Sequence, residues 1–388
     1  MNEKTIYLDN AATTFPKHES VYSAMDTANR NYAVNSGRGS YSLARKAAEV
    51  IEDTRVKLCR LAGGNNINKV IFTPSVTASI NQILRGIKWN KGDIVYVTPY
   101  EHNAVMRTLY VLSIEFSIDI VHIPIDPVTF EVDLDKMDYL FSQKKPKCVC
   151  TTHVSNVTGY ILPIKEIMVI AKKYNSITLV DGAQALGLIP FKLEEMEVDF
   201  YAFAGHKTLY GPFGIAGFII KGDIILEKTF TGGTGSDSLN LDMPQDLPNR
   251  YEAASPNVVA IAGLNASLED LLNQDIDIYE SEKEKTDLLI KLMKEIEDIT
   301  LYLPADLNNH ISILSCNIGR YNSTDIGMIL DRDYNIAVRT GYHCAPLIHE
   351  YLLDKKHHGT VRISIGRFTT KDEITKVAAA LKEISEEF

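Results

Sequence analysis

The chain has 388 residues, of which 45% are hydrophobic and 23% charged, and its 50 acidic against 40 basic side chains give a net charge of −10. That acidic balance argues against a nucleic-acid-binding surface, and no apolar run approaches the roughly 20 residues that a membrane helix needs. The opening residues, Met1-Asn2-Glu3-Lys4, show neither the charged nor the apolar region of a signal peptide, so a cytoplasmic location is expected.

The first 60 residues carry two helical segments, expected to pack on a later domain or on a partner subunit. From about residue 65 to 220, short apolar runs alternate with amphipathic stretches. Val70–Thr73, Ile94–Val97, Asp119–Ile123, Cys148–Val154, Ile177–Val180, Phe200–Ala204 and Gly214–Ile220 read as strands. Helices are expected from Thr77, from Asn103, over Leu134–Phe141 and from Pro163. This alternation predicts a mostly parallel sheet of seven strands with helical crossovers. The loop from Thr231 to Asn249 is long for a passive connector and reads as functional or subunit-crossing. After about Gln245 the pattern changes to two long helices (Val258–Leu272, Ile276–Ile296), an apolar strand (Ile311–Ile318) and a helix (Thr324–Tyr334). Short strands at Ile336–Val338 and Val361–Ile365 and a helix from Lys371 complete an α+β region. The expected division is a large domain over 16–250 and a small one over 251–388, with residues 1–15 packing on the small one.

Five cysteines with scattered spacing give neither a disulfide framework nor a zinc site, and no metal is expected. Cys59, Cys148, Cys150 and Cys316 fall in predicted helix or strand and read as small core residues. Cys344 stands apart, in a loop-like stretch of polar and aromatic residues.

Two motifs carry the chemistry. Asp181-Gly182-Ala183-Gln184 follows one buried strand and Gly205-His206-Lys207 another, so both lie at the carboxyl edge of the sheet, where ligands bind. An Asp at one strand end and a Lys at a neighbouring one meet the needs of pyridoxal 5′-phosphate (PLP). The lysine holds it as a Schiff base, and the carboxylate keeps the pyridine nitrogen protonated. Thr73-Pro74-Ser75-Val76-Thr77 places hydroxyls and amides where a strand gives way to a helix, a setting suited to a phosphate and equally to a simple N-cap. Arg362 lies on a predicted strand among apolar residues and needs a partner. An amino-acid carboxylate or a structural carboxylate would serve.

With these motifs, and with Tyr7-Leu8-Asp9-Asn10-Ala11-Ala12 at the start, the chain resembles the class V aminotransferase family of fold-type-I PLP enzymes. Within it, the chain resembles the branch of cysteine desulfurases and selenocysteine lyases. The resemblance implies Lys207 as the cofactor lysine, Asp181 at the pyridine nitrogen and Gln184 at the phenolic oxygen. It implies His102 stacked on the ring as a proton carrier, and Asn156 on the cofactor side. Thr77, the Val76 amide and His206 would hold the phosphate, with Ser255 reaching across a homodimer interface into a shared site. Arg362 would bind the substrate carboxylate. Arg339-Thr340-Gly341-Tyr342-His343-Cys344-Ala345-Pro346 resembles the compact loop of group II desulfurases. There Cys344 would take sulfur as a persulfide, with His343 and Arg339 as cationic neighbours. Asn35 and Arg38 are weaker substrate-side candidates.

Two residues depart from the family pattern: Ala204, where a phosphate-binding Ser is usual, and Tyr342, where a His is common. The expected reaction takes L-cysteine to L-alanine and passes the sulfur to an acceptor protein. L-selenocysteine is the alternative substrate. Transamination or epimerisation with Cys344 incidental, and a non-catalytic scaffold, are the rival readings.

Overall fold

A computed structural model describes residues 5–37, 39–235, 239–274 and 277–387. The chain begins with β1 (Ile6–Tyr7), α1 (Glu19–Asn31) and α2 (Ser42–Leu61). The alternating region then runs β2 (Val70–Thr73), α3 (Val76–Gly86), β3 (Ile94–Val97), α4 (Asn103–Phe116), β4 (Asp119–His122) and α5 (Leu134–Gln143). It continues with β5 (Cys148–Thr152), α6 (Ile164–Lys173), β6 (Ile177–Asp181), β7 (Phe200–Ala204) and β8 (Ala216–Ile220). After a stretch without helix or strand among the described residues come α7 (Val258–Asn273), α8 (Ile278–Met293), β9 (Ile299–Tyr302), β10 (Ile313–Ile318) and α9 (Ser323–Tyr334). Last are β11 (Ile336–Ala337), β12 (Arg339–Gly341), α10 (Ile348–Leu352), β13 (Thr360–Ser364) and α11 (Lys371–Glu386).

β2 to β8 form one seven-stranded sheet in the order β2-β8-β7-β6-β5-β3-β4, parallel except that β8 runs against both its neighbours. Its central strands are buried on both faces, which is why they read as unbroken apolar runs. Successive side chains still alternate between two cores. Val149, Val180, Tyr201 and Phe203 face one, and Cys148, Cys150, Leu179 and Phe200 the other. Cys59, Cys148, Cys150 and Cys316 are all buried. α1 and α2 pack on α7, whose Ile261, Leu264 and Leu268 join the first core.

The second sheet is antiparallel, in the order β12-β13-β10-β9, and its core includes side chains of α8, α9 and α11. β1 pairs in parallel with β11, and the Ser364 amide donates to the Leu8 carbonyl at 2.7 Å. β1 thus pairs with β11 in a separate two-stranded sheet, and the residues just after it bond to β13. β1, β9, β12 and α10 have no counterpart among the sequence expectations. Strands of two to four residues are too short to show a period.

Candidate active site

Asp181 ends β6 and pairs in register with Thr152 of β5 on one side and Ala202 of β7 on the other. Lys207 follows three residues after β7. The Asp181 side chain is buried, and its Oδ1 accepts the Ala183 amide at 3.0 Å. Burial raises its pKa, and the Lys207 ammonium opposes that rise. For Lys207, burial dominates in the other direction and lowers the pKa to about 8; Asp181 pulls it up, while Arg362 and Arg339 push it further down. Gly182 is required here, because a Cβ would sit 2.1 Å from the Tyr201 ring. That ring packs beneath the Asp181 turn, and its hydroxyl bonds His153 Nδ1 at 2.9 Å.

His102 caps α4, with Nδ1 accepting the Ala104 amide at 3.0 Å. Burial, then Lys207 and three arginines, lower its pKa to about 4. The ring is therefore neutral near pH 7, and because Nδ1 is an acceptor the proton sits on Nε2. His206 is likewise brought to about 4, by burial first and then by Lys207 and Lys17. It stacks on Phe213 at 4.5 Å and leaves a buried Nδ1 without a partner. Val76 and Thr77 form the first turn of α3, which Ser75 caps through the Ala78 amide at 3.2 Å. Gln184 turns its amide to the Ala11 carbonyl at 2.7 Å. Ala204 is buried and paired with Ala216.

The Cys344 segment reaches this strand-end cradle from the small sheet. Its two central residues, His343 (φ 47°) and Cys344 (φ 59°), both adopt the left-handed conformation, a local cost that only surrounding contacts can hold. Those contacts come from the large sheet. The Asn103 amide donates to the Cys344 carbonyl at 2.7 Å, and Asn156 Nδ2 to the His343 carbonyl at 2.7 Å. Arg339 Nη2 lies 3.3 Å from Cys344 Sγ. His343 differs from expectation. It is buried, its Nε2 bonds Thr360 Oγ1 at 2.9 Å, and burial followed by Arg362 holds its pKa well below the ordinary value. Of the two cations expected beside the thiol, only Arg339 is one. Tyr342 is 45% exposed.

Arg362 is 1% exposed. Its Nη2 pairs with Asp9 Oδ1 at 2.6 Å, its Nη1 donates to the Asn156 carbonyl at 2.9 Å, and its buried Nε has no partner. A structural carboxylate thus occupies one side of the guanidinium. Arg339 stands directly across from Arg362 in the β12–β13 pairing. Like charges opposite one another on a sheet repel. An anion received between them would relieve that repulsion.

The remaining candidates lie elsewhere. Asn35 and Ser255 touch (Nδ2 to Oγ, 3.4 Å) and line a cleft of about 1100 Å³ together with Thr73, Pro74 and Ala78. Lys207, Asp181 and Cys344 are not among its walls. Arg38 lies outside the described residues. Among the described residues no helix is long and apolar enough to cross a membrane, and no three His, Cys, Asp or Glu side chains gather as a metal would require.

Sequence reasoning missed Asp9 as the partner of Arg362, although Asp9 stands in a motif already singled out. It also missed Glu101. This side chain is fully buried, accepts Thr98 Oγ1 at 2.5 Å and the Thr152 amide at 2.8 Å, and leaves Oε2 unpartnered. Burial raises its pKa to about 8. A Glu four residues past the end of a buried strand and directly before a capping His was the available signal.

The arrangement has recognisable counterparts. The family described as aminotransferase class V matches residues 6–377. A protein of Escherichia coli O157:H7 named cysteine desulfurase is 30% identical over 97% of this chain and 93% of its own length. A cysteine desulfurase from Thermococcus onnurineus, solved in its apo form, superposes with a TM-score of 0.92 at 28% identity, over 99% of this chain and 95% of that one. The cysteine desulfurase CsdA (S-sulfonic acid) from Escherichia coli superposes with a TM-score of 0.88 at 25% identity, over 100% and 96%.

Proposed function

The chain belongs to the aminotransferase class V family, and from that membership we propose that it is a PLP-dependent cysteine desulfurase. The observation that carries this reading is Cys344, held by both sheets beside Arg339 in the same electrostatic neighbourhood as Lys207. A transaminase has no use for a thiol there.

The residues fit PLP. Buried Asp181 needs a cationic partner, which a protonated pyridine nitrogen would be. Lys207 takes no hydrogen bond at its amine among the described residues. His206 keeps a buried ring nitrogen unpartnered. In our reading Lys207 and Asp181 hold the cofactor, with Gln184, His102 and Asn156 around its ring, and Thr77, the Val76 amide and His206 near its phosphate. When bound, PLP supplies an electron sink that lets the Cα–H and Cβ–S bonds of an amino acid break.

The protein's own groups do the rest. Arg362, with Arg339 across the strand pair, receives the α-carboxylate. Lys207, with a pKa brought to about 8, takes the α-proton at Nζ and later returns a proton to carbon. His102 carries its proton on Nε2 and so serves as a donor, not as the base. Cys344 Sγ attacks the substrate sulfur. An S–S bond forms, the Cβ–S bond breaks, and its electron pair stays on the carbon fragment that becomes alanine. Cysteine and the Cys344 thiol thus give alanine and a Cys344 persulfide, with no external oxidant or reductant. A protein acceptor would then dock over the partly exposed Tyr342 and Cys344. We further propose a homodimer with Ser255 donated across the interface. Its support is the exposure of Ser255 at the cleft and of Phe230, Leu239 and Leu241 on the loop between β8 and α7.

The test is Cys344→Ala with PLP bound. Alanine formation from L-cysteine should be lost while the PLP absorbance band is retained. Undiminished turnover would remove the thiol from the mechanism, and turnover surviving on L-selenocysteine alone would make the enzyme a lyase.

A further inference from the structure

Behind the Cys344 segment lies a buried hydrogen-bonded couple that the reaction above does not use. His349, on α10, is 2% exposed, and Asp354, just past that helix, is fully buried. His349 Nδ1 donates to Asp354 Oδ2 at 2.5 Å, leaving His349 Nε2 and Asp354 Oδ1 buried without partners. Buried polar groups of this kind are costly unless they do something specific.

The imidazole is aimed at the segment. It stands edge-to-face with Tyr342 (centroids 5.0 Å, planes 89° apart) and leans on the His343 ring at 5.9 Å. These are the two residues before Cys344. The Asp354 end is anchored too. Its carbonyl accepts the His357 amide at 2.9 Å and the Gly359 amide at 3.3 Å, closing the turn into β13. Gly359 (φ +95°) sits so close to Gly341 that a Cβ would meet that backbone at 2.4 Å. The turn holding Asp354 therefore abuts the residue where the segment begins.

We infer that Asp354 and His349 act as one positioning pair for Cys344: Asp354 fixes the imidazole, and the imidazole clamps Tyr342 and His343 so that the thiol stays at Arg339. His343 and Cys344 occupy left-handed backbone that neither prefers, so an outside clamp is needed. The bonds from Asn103 and Asn156 grip the segment from the large sheet, and the His349 ring supports it from behind. The inference rests on the proposed role of Cys344, but its readout does not.

Cys344 is the only cysteine of the five that is not buried, so iodoacetamide titrates it selectively in the full-length protein, with or without PLP. Cys344→Ala supplies the blank. Asp354→Leu and His349→Ala should each slow alkylation about tenfold, the scale of one lost hydrogen bond to a charged group, at unchanged circular dichroism. The double variant should be no slower than either single one, because residues that act as a unit are not additive. Asp354→Asn keeps an acceptor oxygen and should restore most of the rate. If Asp354→Leu fails to fold, His349→Gln replaces it, keeping a donor to Asp354 while removing the ring, and should slow alkylation alike. Parental rates in folded variants, faster alkylation, or additive losses would each overturn the inference. Slowed alkylation in an enzyme that releases no sulfur from cysteine would leave the pair standing and sink the desulfurase reading instead.

Discussion

The strand-end cradle and the Cys344 segment solve opposite problems. In the cradle, burial sets the chemistry. It raises Asp181 and Glu101, brings Lys207 to about 8, and brings His102 and His206 to about 4. Backbone position there follows from the sheet register. In the segment, position itself is the difficulty. Two left-handed residues are held by hydrogen bonds from the other sheet, and the one cation at the sulfur is Arg339. Groups that exchange protons with a fixed ring are best set into rigid strand ends. Under the proposed function, a cysteine that would carry sulfur to another protein sits on a segment held by a few breakable contacts.

That contrast can be tested at its seam. The largest effect is expected for Arg362→Ala, which leaves Asp9 without its guanidinium. Breaking a fully buried pair costs roughly 3–5 kcal/mol; the Asp9 side chain is 24% exposed, so the loss should lie near the low end of that range. Denaturant unfolding should show it, and Arg362→Lys should recover part. An unchanged midpoint would mean that the two regions are not joined there.

Next is Glu101→Gln, a test of burial on the cradle side. The folded-state pKa of Glu101 is raised to about 8 from an ordinary 4.5, so the fold keeps a proton that the unfolded chain releases. Its contribution to stability is complete below the unfolded value and is lost as pH rises through about 8. The variant has no such proton to lose. Relative to the parent it should gain about 2 kcal/mol between roughly pH 5 and pH 8, half of what a full one-proton difference gives. A flat difference across that range would show that Glu101 is already ionised.

The smallest effect is expected on the segment side. Asn156→Ala removes one hydrogen bond, about 1 kcal/mol. Hydrogen exchange of the amides at 341–345 should then quicken about fivefold, leaving β6 and β7 unaffected. Equal acceleration in both regions would erase the distinction.

The cradle was legible because its strands are buried on both faces. Ile177–Val180 and Phe200–Ala204 read as strands without any knowledge of their neighbours, and Asp181 and Lys207 follow at fixed distances. What those side chains face was not legible. Asp9 and Arg362 are 353 residues apart, and nothing local marks their pairing. The neutrality of His343 depends on burial under Thr360 and Arg362, which composition does not reveal. His349 and Asp354 look like ordinary polar residues at a helix end until the fold closes over them. β12, with three residues, carries Arg339 to its place opposite Arg362 and has no period to read.

The N-terminal segment binds the site together in a way that also sets its order of assembly. Leu8 and Ala11 bond to Ser364, Asp9 to Arg362, and Thr13, Thr14 and Lys17 to the His206 carbonyl. Every partner at 362 and 364 is made by the ribosome more than three hundred residues later than the segment that needs it. The large sheet can form while synthesis continues, since its strands lie between residues 70 and 220. The arginine face cannot, because its carboxylate must wait for β13 to emerge. The contacts of residues 8–11 with 362 and 364 therefore form only after β13 has been made, long after the strands between residues 70 and 220.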